Sequence, residues 1–316
     1  MIVDLPRTTT GEINRRLVEL RDTGGAIALG RVMTLVIVTP EHLVERAVEA
    51  ANAASREHPC RVLPVVPGDP EAEPALDAQI RVGGDAGASE VVVLRLRGPL
   101  AGHGDSVVVP LLLPDAPVVA WWPGQAPTVP AEDPIGAMAQ RRITDAANCD
   151  TPVGELQRRA ERYVPGDTDL TWTRITRWRA VLAAALDEPP DDPVTAVTVT
   201  GGSDSASADL LAAWLGSALA CPVTRERSEP GTGVLEVVLE RASGPVSLLR
   251  PNGEDVALLV QPGQPPRRIA LAPRQDRDCL AEELRRMDPD EVYGEVLTQG
   301  LPLVTGGRPP EPGGCG

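Results

Sequence analysis

Lysine and phenylalanine are absent from this 316-residue chain, which carries only three histidines, two tyrosines and five tryptophans. Without lysine there is no Schiff-base amine, no P-loop lysine and no kinase lysine. All 30 basic residues are therefore arginines, set against 45 acidic residues for a net charge of −15. That charge opposes nucleic-acid phosphates, and no basic run or aromatic platform offsets it, so neither DNA nor RNA is an expected partner. His42, His58 and His103 form no H-x-x-x-H or H-E-x-x-H pattern, so no metal site is expected. Cys60, Cys149, Cys221, Cys279 and Cys315 are scattered, odd in number and never spaced C-x-x-C. Zinc sites and disulfide frameworks both lack their spacing, and reduced thiols are the default. No apolar run approaches the roughly 18 residues that a membrane span needs. Residues 1–10 have neither a basic nor an apolar secretion region, so a cytoplasmic location is expected. G-x-S-x-G is missing too, which weakens a serine hydrolase reading.

What remains is ample for folding. Hydrophobic residues make up 42% of the chain, enough for a sizeable core, and the length suggests two domains. Thr8-Thr9-Thr10 precedes a stripe of Ile13, Leu17 and Leu20, predicting a short helix. Residues 31–39 (RVMTLVIVT), 60–66, 90–96 and 117–122 (PVVAWW) are strand-length apolar runs, and 78–82 is a weaker strand candidate. Helical patterns fall at 41–57 and 155–163, with a weak one at 105–113 that must kink at Pro110. Strands alternating with helices predict a largely parallel α/β sheet covered on both faces. Residues 171–186 read as one strong helix. Beyond a Pro-rich hinge at 188–193 come a strand at 194–200, a helix at 206–219 and five short strands between Gly/Pro/Asn turns. Terminal helices follow at 276–287 and 291–297. The expected fold class is thus α/β, with an N-terminal largely parallel α/β sheet domain (1–165), a C-terminal α+β domain (166–304) and a disordered tail (305–316). The boundary is set near Gly166, the hinge being the alternative.

Candidate chemistry is sparse. Gly201-Gly202-Ser203-Asp204-Ser205 lies between a strand and a helix, where backbone N–H groups attract anions and small residues allow close approach. Gly201, Gly202, Ser203 and Ser205 would line such a loop, but simple helix capping uses the same residues. The glycines at 83–87 read as a turn. Trp121-Trp122 ends a strand; both rings can be buried only if both sheet faces are covered. The alternative is a ligand or partner contact at the strand's C-terminal end. Arg141-Arg142 reads as a solvated pair or as a clamp for phosphate or a partner's carboxylate. Carboxylate pairs such as Glu282-Glu283 lie on a solvated helix face. No catalytic residue is singled out.

Several long segments resemble the glucose-6-phosphate dehydrogenase assembly proteins, the OpcA family, in their actinobacterial form. They are 55–62 (SREHPCRV), 78–96 (AQIRVGGDAGASEVVVLRL), 107–124 (VVVPLLLPDAPVVAWWPG), 141–146 (RRITDA), 165–187 (PGDTDLTWTRITRWRAVLAAALD) and 292–297 (VYGEVL). The resemblance implies a non-enzymatic protein, without cofactor, that binds glucose-6-phosphate dehydrogenase, promotes its active oligomer and acts as an allosteric effector in the oxidative pentose phosphate pathway. Trp121, Trp122 and Arg141-Arg142 are then the expected partner contacts. Thiol redox control in cyanobacterial relatives finds no matching cysteine here. A competing reading is a sugar-phosphate or nucleotide-binding module, possibly a cryptic enzyme, using the 201–205 loop or the sheet end near Trp121.

Overall fold

The computed structural model describes residues 1–23, 32–83, 90–188 and 191–305. Gly24-Gly25, the turn at 84–87, Pro189-Pro190, Cys315 and the tail from 306 lie outside the described residues. The chain divides into two compact units, one of residues 1–148, 164–170 and 275–290, the other of 149–163, 171–274 and 291 onward. Both draw on chain from either side of Gly166.

Eight strands build the first unit: β1 (Ile2–Leu5), β2 (Met33–Val38), β3 (Cys60–Pro67), β4 (Ala75–Arg81), β5 (Glu90–Arg97), β6 (Val118–Trp121), β7 (Arg141–Thr144) and β8 (Asp167–Asp169). They form one sheet in the order β1-β4-β5-β3-β2-β6-β7-β8. From β5 to β8 every neighbour is parallel, while β4 and β1 extend the β5 edge antiparallel. The six parallel strands therefore run third, second, first, fourth, fifth, sixth. This is the doubly wound order of dinucleotide-binding sheets, with its switch point between β2 and β6.

The parallel α/β architecture read from alternating runs is the one observed. Continuous apolar strands such as β2 (MTLVIV) bury both faces because helices lie on both sides. Leu35, Ile37, Val62, Val93 and Trp121 pack with the helices Val44–Ala54 and Asp276–Glu283. Val36, Leu63, Val92, Leu94 and Trp122 pack with the helix Thr10–Thr23 on the other side. Residues 105–113 behave as the proline demands, with a helix over Gly104–Val108 and a 3-10 turn at Val109–Leu111. Three strands had no sequence signal: β1 is four residues of mixed polarity, and β7 (RRIT) and β8 (DTD) are largely polar.

The second unit holds β9 (Val194–Gly202), β10 (Val223–Ser228), β11 (Val234–Arg241), β12 (Val246–Leu249), β13 (Val256–Val260) and β14 (Arg267–Ala270), in the order β10-β9-β11-β12-β13-β14. Only β9 and β10 are parallel, as the crossover helix Ala206–Leu219 between them requires. The remaining pairs are antiparallel. Strict alternation governs these strands: Val197, Val199, Val237, Leu239, Leu248 and Leu259 are buried, and their neighbours in sequence face outward. The single helix expected at 171–186 is broken instead, into Leu170–Arg174 and Thr176–Leu186, by the non-helical backbone of Ile175.

The Ala206–Leu219 helix ends on Ala220, a left-handed residue (φ 50°, ψ 39°) whose N–H donates to the Gly216 carbonyl. A Cβ is strained in that conformation and glycine is not. Ala220→Gly is expected to stabilise the protein by about 1 kcal/mol, read as a raised midpoint in thermal or urea unfolding.

Candidate functional site

The four residues proposed as partner contacts are core residues, and this corrects the expectation. Trp121 and Trp122 are each 1% exposed and belong to clusters on opposite faces of the sheet. Their indole N–H groups are buried without an acceptor, so the rings are held by packing alone. Arg141 and Arg142 are neither solvated nor open to a ligand. Arg141 Nη2 donates to Glu283 Oε2 at 2.6 Å and Nη1 to the Asp288 carbonyl at 2.7 Å. Arg142 Nε donates to the Asp167 carboxylate, while its Nη2 and Nη1 reach the carbonyls of Pro165 (2.6 Å) and Ala139 (3.1 Å). A planar guanidinium fits such divergent acceptors as an ammonium cannot. Gly166 makes room for it: its φ is +97°, and a Cβ there would stand 2.8 Å from the Gln140 carbonyl oxygen and 2.9 Å from Arg142 Nη2.

Ligands of doubly wound sheets gather beyond the strand ends at the switch point, so the β2 and β6 connections were the natural place for a site. The first runs Thr39-Pro40-Glu41-His42-Leu43 and contains no glycine. Proline supplies no N–H, and Glu41 places a carboxylate in the first turn, where a pyrophosphate would need positive potential. From β6, Gly124 packs directly on the first connection, since a Cβ there would meet Leu43 Cδ1 at 3.2 Å. Glu41 is clamped by Arg95 (2.8 and 2.7 Å), and Glu45, one turn on, by Arg81 (2.8 and 2.6 Å). Those guanidinium hydrogen bonds hold both carboxyls below their ordinary value, against a smaller opposing effect of burial. Both glutamates therefore carry negative charge at neutral pH.

The 201–205 loop is extensively hydrogen-bonded from within. Backbone N–H groups of Gly202, Ser203, Ser205 and Ala206 donate to Gly233, Ser228, Gly202 and Asp204 carbonyls. Arg225 donates to the carbonyls of Gly201 (3.0 Å) and Gly202 (2.6 Å) and to Asp209 Oδ1 (2.7 Å). Ser205 caps the following helix, its hydroxyl accepting from Ala208 N at 3.2 Å. Gly201 is required by packing, because a Cβ would lie 2.3 Å from the Gly233 carbonyl oxygen. Capping accounts for Ser205 and close packing for Gly201.

One surface cleft had no sequence signal. A cavity of about 440 Å³ opens beside the start of the Thr10–Thr23 helix, lined by Arg7, Thr8, Thr9, Thr10, Leu76 and Ser106. Two of its polar side chains are paired, Arg7 with Glu73 (2.7 Å) and Thr8 Oγ1 with Glu12 (3.0 Å). Among the described residues no group of three or more His, Cys, Asp or Glu side chains is placed to hold a metal, and no helix is long and apolar enough to cross a membrane.

Strand order and switch point together define a doubly wound α/β protein whose first switch-point connection carries a proline and a carboxylate and no glycine. Two family models match the chain, the glucose-6-phosphate dehydrogenase subunit N-terminal domain over residues 51–161 and the corresponding C-terminal domain over 165–297. The chain belongs to the glucose-6-phosphate dehydrogenase assembly protein (OpcA) family. No curated protein matches it. Among solved structures it is similar to KijD10, a 3-ketoreductase from Actinomadura kijaniata, at 8% identity and a TM-score of 0.46, covering 87% of this chain and 98% of that one. It is also similar to glucose-6-phosphate 1-dehydrogenase from Mycobacterium avium, at 10% identity and a TM-score of 0.41, covering 89% and 94%.

Two predictions follow from these contacts. Arg142→Ala leaves the Asp167 carboxylate buried without its cation, so unfolding by urea should register a loss of about 3–5 kcal/mol. Acid should act through Glu41 and Glu45. Their folded pKa values lie below the unfolded one, so the pairs stabilise fully above about pH 4.5, and that contribution fades as pH falls through the lowered values. Glu41→Gln/Glu45→Gln should therefore lower Tm at neutral pH and flatten its decline on acidification. The side chains are 60% and 73% exposed, which limits each pair to about 1 kcal/mol or less.

Proposed function

We propose that this protein is a non-enzymatic assembly factor and allosteric effector of glucose-6-phosphate dehydrogenase, acting in the cytoplasm to favour the enzyme's active oligomer in the oxidative pentose phosphate pathway. The observation that carries this reading is the paired match of two models, both named for a subunit of that dehydrogenase, across residues 51–161 and 165–297. The switch point supports the non-enzymatic part, since Pro40 and Glu41 stand where a nicotinamide dinucleotide would need N–H donors. An effector shifts an oligomer equilibrium only by its differential affinity for the two states. This one must therefore bind the active assembly more tightly than its alternatives. A net charge of −15 favours approach to a basic surface, so association should slow as salt rises.

The test is to add the purified chain to the dehydrogenase and follow complex mass by light scattering together with the enzyme's substrate KM. A stable complex with a changed oligomer distribution or KM is expected. Absence of both effects overturns the proposal. Turnover of a sugar phosphate with NADP by the chain alone overturns its non-enzymatic part.

A further inference from the structure

Among the described residues, helices of the second unit cover one side of its sheet and none covers the other. Its inner face packs under the helices Ala206–Leu219 and Thr176–Leu186; Gln261 Nε2 donates to the Ala185 carbonyl at 3.0 Å, and the Arg250 guanidinium sits 5.3 Å from the centre of the Trp178 ring. On the outer face, strand register sets Glu226, Thr200, Glu236, Leu249, Leu258 and Arg268 in one row across all six strands. All six are half-buried or exposed, while Arg225, Val199, Val237, Leu248 and Leu259, beside five of them in sequence, are buried. Leu249 (37%) and Leu258 (36%) are large apolar side chains left partly open to solvent on this face. Val238 and Val260 lie in the adjoining row, each opposite Ser247. The face is thus an apolar centre on β12 and β13 with the carboxylates of Glu226, Glu236 and Glu240 on one flank and Arg268 on the other.

We infer that this outer face of the β9–β14 sheet is where the chain docks on the dehydrogenase, and that it selects an apolar patch flanked by arginines or lysines. The inference rests on the reading that the dehydrogenase is the partner. Six strands about 4.8 Å apart and about 20 Å long give a face of roughly 580 Å² in projection, about three-quarters of the roughly 800 Å² that one partner contributes to a standard-size interface. Charge decides between occupants. A second copy laid on this face would bring three carboxylates per chain into contact against a single Arg268, and unpaired carboxylates resist burial. A basic partner surface pairs them. Such an apolar strip with a charged rim is how protein interfaces are built.

The test uses the full chain with the dehydrogenase and two variants, Leu249→Glu/Leu258→Glu and Glu226→Arg/Glu236→Arg. Both pairs point outward, so thermal unfolding should stay near wild type while affinity for the dehydrogenase falls at least about tenfold. Val109→Glu, at a 55%-exposed position of the first unit, serves as the control and should bind normally. Carboxyl footprinting of Glu226, Glu236 and Glu240 on the wild-type chain gives a readout free of any folding defect, with protection expected in the complex. The inference is overturned if both folded variants bind within about twofold of wild type or the footprint is unchanged. It is equally overturned if the chain alone is a dimer that Leu249→Glu/Leu258→Glu dissolves. Failure of the wild-type chain to bind the dehydrogenase at all would instead show, before any variant is made, that the functional reading beneath the inference is wrong.

Discussion

A parallel sheet crossed by helices on both sides leaves neither face in water, and every strand of its interior must then be apolar at successive residues rather than alternate ones. Leu35, Val36 and Ile37 on β2 obey this, as do Val91 to Leu94 on β5, each with no measurable exposure. The same constraint governs the end of β6. Trp121 and Trp122 point to opposite sides of the sheet and enter two separate hydrophobic clusters. A surface role for either ring would require one cover of the sheet to be missing.

Polar residues within this sheet face the converse requirement, since a buried charge survives only with its partner and with hydrogen bonds for its remaining groups. In a chain without lysine the guanidinium meets several such cases. Arg61 on β3 pairs with Glu90 beside it on β5 and donates to the Leu111 carbonyl. Arg141 binds Glu283 and the Asp288 carbonyl, and in the second unit Arg225 binds Asp209 and two glycine carbonyls. Each arginine thus ties three or more chain segments, which a single-point ammonium would not do. These networks specify how segments distant in sequence meet, and they consume the charges that sequence reasoning had offered to ligands.

The legible parts of the fold were those written in periodicity. Continuous apolar runs gave β2, β3, β5 and β6, and short runs between Gly/Pro/Asn-rich turns gave β10 to β14 of the second unit. What escaped was carried by tertiary partners. RRIT and DTD have no apolar pattern, and they are strands because Arg142 and Asp167 sit opposite each other in register as an ion pair. Arg141 looked solvated because its partner, Glu283, lies 142 residues away on a helix that itself looked exposed. The 201–205 loop illustrates a different limit: glycines next to a helix start are needed both by anion sites and by close strand packing, and only the position of the Gly233 carbonyl separates the two. The closed switch point, by contrast, stood in the sequence as Thr39-Pro40-Glu41, but its meaning depended on knowing that β2 and β6 are neighbours.

The two sheets of this protein solve opposite problems. The first hides both faces and meets at its switch point a proline, a charged glutamate and Leu43 packed on Gly124, an arrangement that offers a small anionic ligand few donors. The second, built mainly from antiparallel pairs, tolerates water on one face, and its alternation leaves Leu249 and Leu258 there partly exposed. Pockets concentrate binding on a few convergent polar groups, whereas protein partners are held across an area with an apolar centre and a polar rim. The β9–β14 face has the second character, an apolar centre with a charged rim, while the switch point of the first sheet has few of the donors that the first character needs.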